Sequence, residues 1–317
     1  MNAPAPLATR ALDRCLACGG ARLRPLALRY EFRGTFPAAE CAACGMRFLA
    51  VQPAGESLAS LYSAEYFRSD FRCGRSEVAF DDGAAFGAES EGLLDAFARF
   101  APPGRLLEVG CAGGWLLDRA RRRGWSVRGV EPSAEAAAHA RALGLDVHAG
   151  TLESAALPDA AFDFALLGDV LEHVPDCGAT MRELARVLAP GGVLYVRGPV
   201  TTNSLARGFA LALFGALGRP IVLREPPYHL WEFTPRSLAG LFRATGFDVI
   251  DVRQSKIPPG RPHGAKSALE RAALAAFDAV NVPLTALFNA KGDRAVVVGR
   301  RRPGPVPSAP MEGMPRR

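Results

Sequence analysis

The residues with the plainest capacity for chemistry are four cysteines set out as two copies of one device, Cys15-Leu-Ala-Cys18-Gly and Cys41-Ala-Ala-Cys44-Gly. Two residues between thiolates let a tight turn aim both sulfurs at one tetrahedral ion, and the following glycine frees the backbone to turn its amides toward sulfur. Twenty-two residues separate the pairs, slightly more than the usual four-cysteine spacing and readily absorbed by a longer hairpin. Disulfides or unrelated buried thiols are the alternatives. The duplicated spacing favours one zinc ion on Cys15, Cys18, Cys41 and Cys44. Its role would be structural, because four thiolates leave no open coordination position. Cys73, Cys111 and Cys177 are isolated and read as buried small residues.

A second constellation follows a short apolar run. Arg105-Leu-Leu-Glu-Val-Gly110 reads as a buried parallel strand, Gly110-Cys-Ala-Gly-Gly114 as a glycine-rich turn, and Trp115 to Arg123 as a helix closed by Gly124. The next strand is Ser126 to Glu131, after which Ser133 caps a further helix. Glu131 stands 21 residues after Gly110. In such a βαβ unit small residues let a ligand approach the backbone, and a carboxylate at the second strand's tip accepts hydrogen bonds from ribose hydroxyls. A dinucleotide fingerprint requires glycine at 110, 112 and 115, where this chain has Gly110, Ala112 and Trp115. Trp115 is too large where helix and strand must pack closely, and the lysine and Ser/Thr of a phosphate loop are missing. A ligand with adenosine and no phosphates fits these residues better.

At this point a resemblance emerges. Leu107-Glu-Val-Gly-Cys-Ala-Gly-Gly114 resembles the first motif of class I S-adenosylmethionine (SAM) dependent methyltransferases, an acid followed by Gly-x-Gly-x-Gly, with Ala112 replacing the middle glycine. Gly129-Val-Glu131-Pro-Ser resembles the second motif, and Ala149-Gly-Thr-Leu-Glu153 the loop that flanks adenine. Phe162 to Val174, with Asp169, Glu172 and His173, resembles the fourth strand and its turn, and Arg182 to Val196 the following helix and fifth strand. Five collinear motifs are far more specific than one glycine loop. The resemblance implies an α/β fold: a Rossmann-like, seven-stranded, mostly parallel sheet sandwiched by helices, preceded by a zinc-ribbon-like module. It implies SAM as co-substrate, with Glu108 and Gly110 near its methionine end and Ala112 and Gly114 completing the turn. It also implies Glu131 on the ribose, Leu152 and Glu153 around adenine, and Asp169 under the methionine moiety. Asp169, Glu172 and His173 are equally well read as a helix-start cluster that orders a loop.

The last strand of that resemblance is Asp293 to Gly299, expected to pair antiparallel. Before it, residues 199–233 break the alternation of strands and helices and contain Pro226-Pro-Tyr-His-Leu-Trp-Glu-Phe-Thr-Pro235. Thr234 then caps a helix, and Gly246-Phe starts a strand. A long insertion after the fifth strand falls near the C-terminal sheet edge, where α/β ligands bind. The run from His229 to Pro235 resembles methyltransferases related to the ubiquinone-biosynthesis O-methylating enzymes, and zinc-ribbon-bearing ones associated with sugar and cell-envelope biosynthesis. His229 is expected to face the site as general base or orienting donor, with Phe233 in the core and His173 as the competing catalytic histidine.

The chain has 317 residues and divides into a zinc-ribbon-like module (1–50), a connector with a helix (51–100), the methyltransferase domain (101–301) and a Pro-rich tail expected to be disordered (302–317). The connector begins with the aromatic cluster Tyr62, Tyr66, Phe67 and Phe71. The net charge is +6, yet the basic residues are scattered among acids, and a run such as Arg121-Arg122-Arg123 is usually a solvated helix face. No basic–aromatic stripe supports nucleic-acid binding. Without an apolar core at the N-terminus or about 20 clean apolar residues elsewhere, a soluble cytoplasmic protein is expected, with peripheral membrane contact still open. The expected reaction is methyl transfer to oxygen or carbon of a small or carrier-linked metabolite, such as a sugar, quinone or cell-envelope precursor. The rivals are a ribosomal RNA base methyltransferase and a non-catalytic SAM-fold binding protein. Oligomeric state is not legible.

Overall fold

The computed structural model describes residues 5–62, 85–257 and 268–306. Tyr66, Phe67, Phe71, Cys73, the side chain of Tyr62 and the tail beyond 306 lie outside the described residues.

The N-terminal strands are short: β1 (Thr9–Ala11), β2 (Leu23–Glu31), β3 (Thr35–Cys41), β4 (Arg47–Leu49) and β5 (Val51–Pro53). β2, β3 and β4 form an antiparallel meander, while β1 pairs with β5 in a separate ribbon. Two connecting helices follow, α1 (Gly55–Ala59) and α2 (Ala85–Phe97).

The larger sheet is built from β6 (Arg105–Val109), β7 (Ser126–Glu131), β8 (Val147–Ala149), β9 (Phe162–Gly168) and β10 (Leu188–Pro199), all parallel, with α3 (Trp115–Arg122), α4 (Ala134–Ala142) and α5 (Cys177–Val187) among the crossovers. After β10 come α6 (Leu205–Ala216), β11 (Ile221–Leu223), β12 (Trp231–Glu232), α7 (Pro235–Ala244), β13 (Phe247–Ser255), α8 (Ala268–Phe288) and β14 (Arg294–Arg301). The spatial order is β13-β14-β10-β9-β6-β7-β8, and β14 runs antiparallel to both neighbours. This is the seven-stranded, mostly parallel sheet that the sequence resemblance implies.

Strand periodicity assigns the two faces. Leu107, Val109, Ala165, Leu167, Leu194 and Val196 pack with Leu184, Leu238 and Phe242 of α5 and α7. The alternate residues Leu106, Phe164, Leu166, Val193 and Tyr195 pack with Phe97, Leu117 and Ala140 of α2, α3 and α4. Successive side chains of a strand point to opposite faces, so a strand covered on both sides reads as an unbroken apolar run. The two clusters are the two halves of an α/β sandwich.

The 199–233 segment does more than insert. β11 pairs parallel with β2, and β12 pairs antiparallel with β4, so the N-terminal meander and the insertion share one five-stranded sheet. The core of that sheet (Phe36, Phe48, Trp231) is continuous with the α5/α7 face of the large sheet.

Two local expectations are corrected. The sequence pattern predicts a helix over 178–189 ended by Gly191-Gly192; the helix instead ends at Val187, and β10 begins at Leu188 with a register shift before Val193 that absorbs Gly191 at φ +78°. Residues 302–306, expected in a disordered tail, pack back: the Arg302 amide donates to Gly246, and Val306 lies against the core. Among the described residues no helix is long and apolar enough to cross a membrane.

Candidate active site

The glycine-rich turn is built at the C-terminal end of β6. Gly110 (φ +72°) and Gly114 (φ +82°) both adopt the left-handed conformation that L side chains resist. A Cβ on Gly110 would collide with Val170, and one on Gly114 would sit 2.9 Å from the Ala140 methyl. Both glycines are therefore demanded by the turn itself. Ala112 takes φ +45° despite its methyl and is held there by its amide, which donates to Glu131 Oε2 at 2.8 Å. The strain of alanine in this region is about 1–2 kcal/mol, partly offset by glycine's greater freedom when unfolded. Ala112→Gly should accordingly raise thermal stability by about 0.5–1 kcal/mol without weakening cofactor binding. A lower melting temperature for that variant would contradict the strain argument.

Glu131 ends β7, 3% exposed. Its Oε1 accepts from the Ser133 amide at 2.8 Å, so one carboxylate ties the glycine turn to the start of α4. Burial raises its pKa against the pull of those two amides. Each oxygen keeps a lone pair beyond its amide bond, as a ribose acceptor requires. Leu152 is buried in the following loop, while Glu153 is exposed and accepts from the Thr180 hydroxyl at 3.1 Å.

Glu108 is buried with Oε2 lacking a hydrogen-bond partner. Burial, reinforced by Glu131 and opposed by Arg197, pushes its pKa up to about 8. A buried acceptor without a partner suits the cationic methionine end of SAM. The sign of the pH effect follows. Below about 8 the ligand-free protein holds Glu108 protonated, and a cationic ligand favours the ionised form, so binding expels a proton. SAM affinity should rise with pH, by up to about tenfold per unit between about pH 6 and 7.5. Calorimetry on Glu108→Gln should show a flat profile; an unchanged slope would remove Glu108 from the cofactor site.

Asp169 follows β9 at φ +56°. Its carboxylate meets Arg197 of β10 at 3.1 Å and Arg294 of β14 at 3.2 Å, and Arg197 also reaches Glu89 at 2.6 Å. Residues 28 and 125 positions away thus fix Asp169; sequence reading found neither arginine, because the pairing depends on sheet order. Asp169 is thus the centre of an ion network at the C-terminal end of β9.

Glu172 and His173 form the floor of the adjacent loop, and the insertion brings His229 onto it. Leu230 and Trp231 both donate their amides to the Glu172 carbonyl, at 2.8 and 3.2 Å. His173 Nδ1 donates to the Tyr228 carbonyl at 3.0 Å, which fixes the tautomer, since a carbonyl only accepts. The His173 and His229 rings lie edge to face, 5.0 Å apart. Glu172 is 2% exposed, and burial, then the Asp169 charge, holds its pKa well above the ordinary carboxylate value. Burial and His229 push His173 down to about 3. Both histidines singled out from sequence therefore belong to one cluster.

The five-stranded sheet and β1 together brace this loop. Trp231 Nε1 donates to the Val174 carbonyl at 2.7 Å, Arg10 reaches the Pro175 carbonyl, and Leu49 donates its amide to Leu230 at 3.0 Å. Gly178, in the first turn of α5, lies so close to the first cysteine turn that a Cβ would sit 2.5 Å from the Leu16 carbonyl.

All four cysteine sulfurs of the pairs lie within 4.8 Å of one another. Cys15 and Cys44 are 3.7 Å apart and Cys18 and Cys41 3.6 Å, too far for disulfides. A tetrahedral zinc with bonds of about 2.3 Å would separate its sulfurs by about 3.8 Å. Gly20 leaves the cradle open: a Cβ there would be 3.1 Å from Cys41 Sγ. The donor set fits zinc. Metal analysis of purified protein should give about one tightly held zinc, lost on replacing any of the four cysteines with serine. Metal-free protein with four reactive thiols would refute the ribbon as a zinc site.

A parallel sheet with one antiparallel strand, a glycine-rich turn after β6 and an acid ending its neighbour β7 define a class I methyltransferase fold. Residues 84–252, just over half of the chain, match the methyltransferase domain family, and the chain belongs to that family. It is 34% identical over 167 residues to a ubiquinone biosynthesis O-methyltransferase of Azorhizobium caulinodans, covering 50% of this chain and 64% of that protein. It is also 34% identical over 173 residues to the enzyme so named from Xanthomonas axonopodis pv. citri, covering 52% and 71%. The match spans 60–64% of the length of the rhizobial relatives compared. A SAM dependent methyltransferase from Archaeoglobus fulgidus, 14% identical, superposes with a TM-score of 0.50 over 75% of this chain and 100% of its own, and shares the fold.

Proposed function

We propose that this protein transfers the methyl group of SAM to a hydroxyl oxygen of a small or carrier-linked metabolite. The observation that carries the reading is the pairing of two sites on one sheet edge: a nucleoside turn closed by Glu131, and the Glu172–His173–His229 cluster beside it. The likeness to enzymes named ubiquinone biosynthesis O-methyltransferase supports oxygen as acceptor and a quinone-like or related precursor as substrate. Sulfonium chemistry asks little acid assistance of the protein. It requires the acceptor oxygen, methyl carbon and sulfur in line, and loss of the hydroxyl proton. The Asp169–Arg197–Arg294 network fixes the sheet edge on which that alignment depends, and the proton is lost at the cluster. On transfer, the new O–C bond takes an oxygen lone pair while the C–S pair returns to sulfur, leaving a neutral thioether. α6 and α8 expose Phe209, Leu213, Leu287 and Phe288, apolar side chains that suit a carrier-linked or membrane-delivered acceptor. Zinc in the ribbon would brace the acceptor wall rather than join the chemistry.

The test is a screen with methyl-labelled SAM against phenolic, sugar and carrier-linked acceptors. Label is expected on oxygen of one acceptor class. Transfer to RNA bases, or no transfer to any acceptor, would overturn the proposal.

A further inference from the structure

We propose that Arg10 and Gln52 are positioning residues for the acceptor side of the site: together they fix the loop that carries Glu172 and His173 and the segment that carries His229. The inference rests on the functional reading above for what that loop does, and on the contacts alone for what holds it.

Gln52 of β5 is fully buried. It stands opposite Arg10 in the β1–β5 pair, and its Oε1 accepts from Arg10 Nη2 at 2.8 Å. Its Nε2 donates to the Leu230 carbonyl at 3.5 Å, where the Leu49 amide also donates at 3.0 Å. A buried carboxamide is costly unless both of its ends find partners. Here one end meets the facing strand and the other the residue that follows His229.

Arg10 Nη2 donates in addition to the Pro175 carbonyl. Proline has no amide hydrogen, so its carbonyl is the backbone group by which this point of the loop can be held, and a charged donor makes the stronger bond. Arg10 thereby completes a row of loop carbonyls that accept from distant parts of the chain. Glu172 accepts from the Leu230 and Trp231 amides, Val174 from Trp231 Nε1 and Pro175 from Arg10. Asp176 then caps α5, accepting from the Ala179 amide at 2.9 Å. Removing Arg10 strips Pro175 and Gln52 of a donor at once, so the two supports weaken together.

The glycine turn is anchored differently. The Gly110 and Cys111 amides donate to the Val130 carbonyl and the Ala112 amide to Glu131, all within one βαβ unit. Loss of Arg10 or Gln52 therefore loosens the acceptor half of the site and leaves the cofactor half in place.

The test follows individual N–H groups by hydrogen exchange in full-length protein carrying its ribbon zinc. In Arg10→Ala, and in Gln52→Met, which keeps the volume and removes both polar ends, the Trp231 indole N–H and the Leu230 amide should exchange at least about tenfold faster than in the parent. The Gly110 and Ala112 amides and the affinity for SAM should change by no more than about twofold. Arg10→Lys retains a charged donor and should recover most of the protection. Zinc content and a cooperative melt show that each variant is folded. Unchanged exchange at Trp231 and Leu230, equal acceleration at Ala112, or Arg10→Lys as loose as Arg10→Ala would overturn the positioning role. SAM binding by the parent tests the functional reading separately: its failure would contradict that reading, while the Trp231 and Leu230 rates would still decide what holds the loop.

Discussion

His229→Ala should lower methyl-transfer turnover by about 100-fold or more while leaving SAM affinity within a factor of two or so. The side chain lies on the insertion, against His173 and Glu172, whereas the glycine turn and Glu131 belong to the unit formed by β6, α3 and β7. Activation of the acceptor and binding of the cofactor are therefore separable. Sequence alone expects a mild effect for His173→Ala, because a histidine at a helix start is easily explained by local ordering. The geometry changes that expectation. His173 holds the Tyr228 carbonyl, one residue from His229, and shares a ring contact with it, so His173→Ala should fall in turnover to a similar degree. Single-turnover rates with saturating SAM measure both. Small, equal effects would mean that the reaction proceeds by alignment alone and that the cluster is structural.

Glu131→Ala should weaken SAM binding by about 1.5–3 kcal/mol, on the order of 10- to 150-fold. The loss combines two events. The ribose hydroxyls lose a charged acceptor, and the Ala112 and Ser133 amides lose the carboxylate that now satisfies both at 2.8 Å. Ala112 at φ +45° would then have less to hold it in the left-handed region, and the melting temperature should fall with the affinity. Glu131→Gln keeps one carbonyl oxygen and should cost less on both counts. Unchanged affinity in Glu131→Ala, measured by calorimetry, would remove the ribose assignment.

Much of the fold was legible because the large sheet's strands are buried on both faces and announce themselves as apolar runs ending in glycine or acid, as β6 and β7 do. The start of α7 was legible for a different reason: Thr234 and Ser237 form a reciprocal cap with Pro235 at the first turn, a signal that is local in sequence. The cysteine pairs were legible from spacing alone. β11 and β12 were not. Strands of three and two residues carry no readable alternation, and their partners β2 and β4 lie more than 180 residues away. Their hidden pairing is what joins the ribbon to the insertion. The same limit applies to the site. The glycine turn and Glu131 could be found because one βαβ unit contains them. The meeting of Glu172 with His229, and of Asp169 with Arg197 and Arg294, depends on which strands are neighbours and how the insertion folds over them. Sequence spacing of 28 to 125 residues holds no record of it.

The measurement that bears most directly on the central claim is calorimetric titration of the full-length protein with SAM, its demethylated thioether product and NAD. The account predicts one site for SAM and for the thioether, weakened in Glu131→Ala, and no binding of NAD, which Trp115 and the missing third glycine exclude. Failure to bind SAM or its product, or tighter binding of NAD than of either, would contradict it.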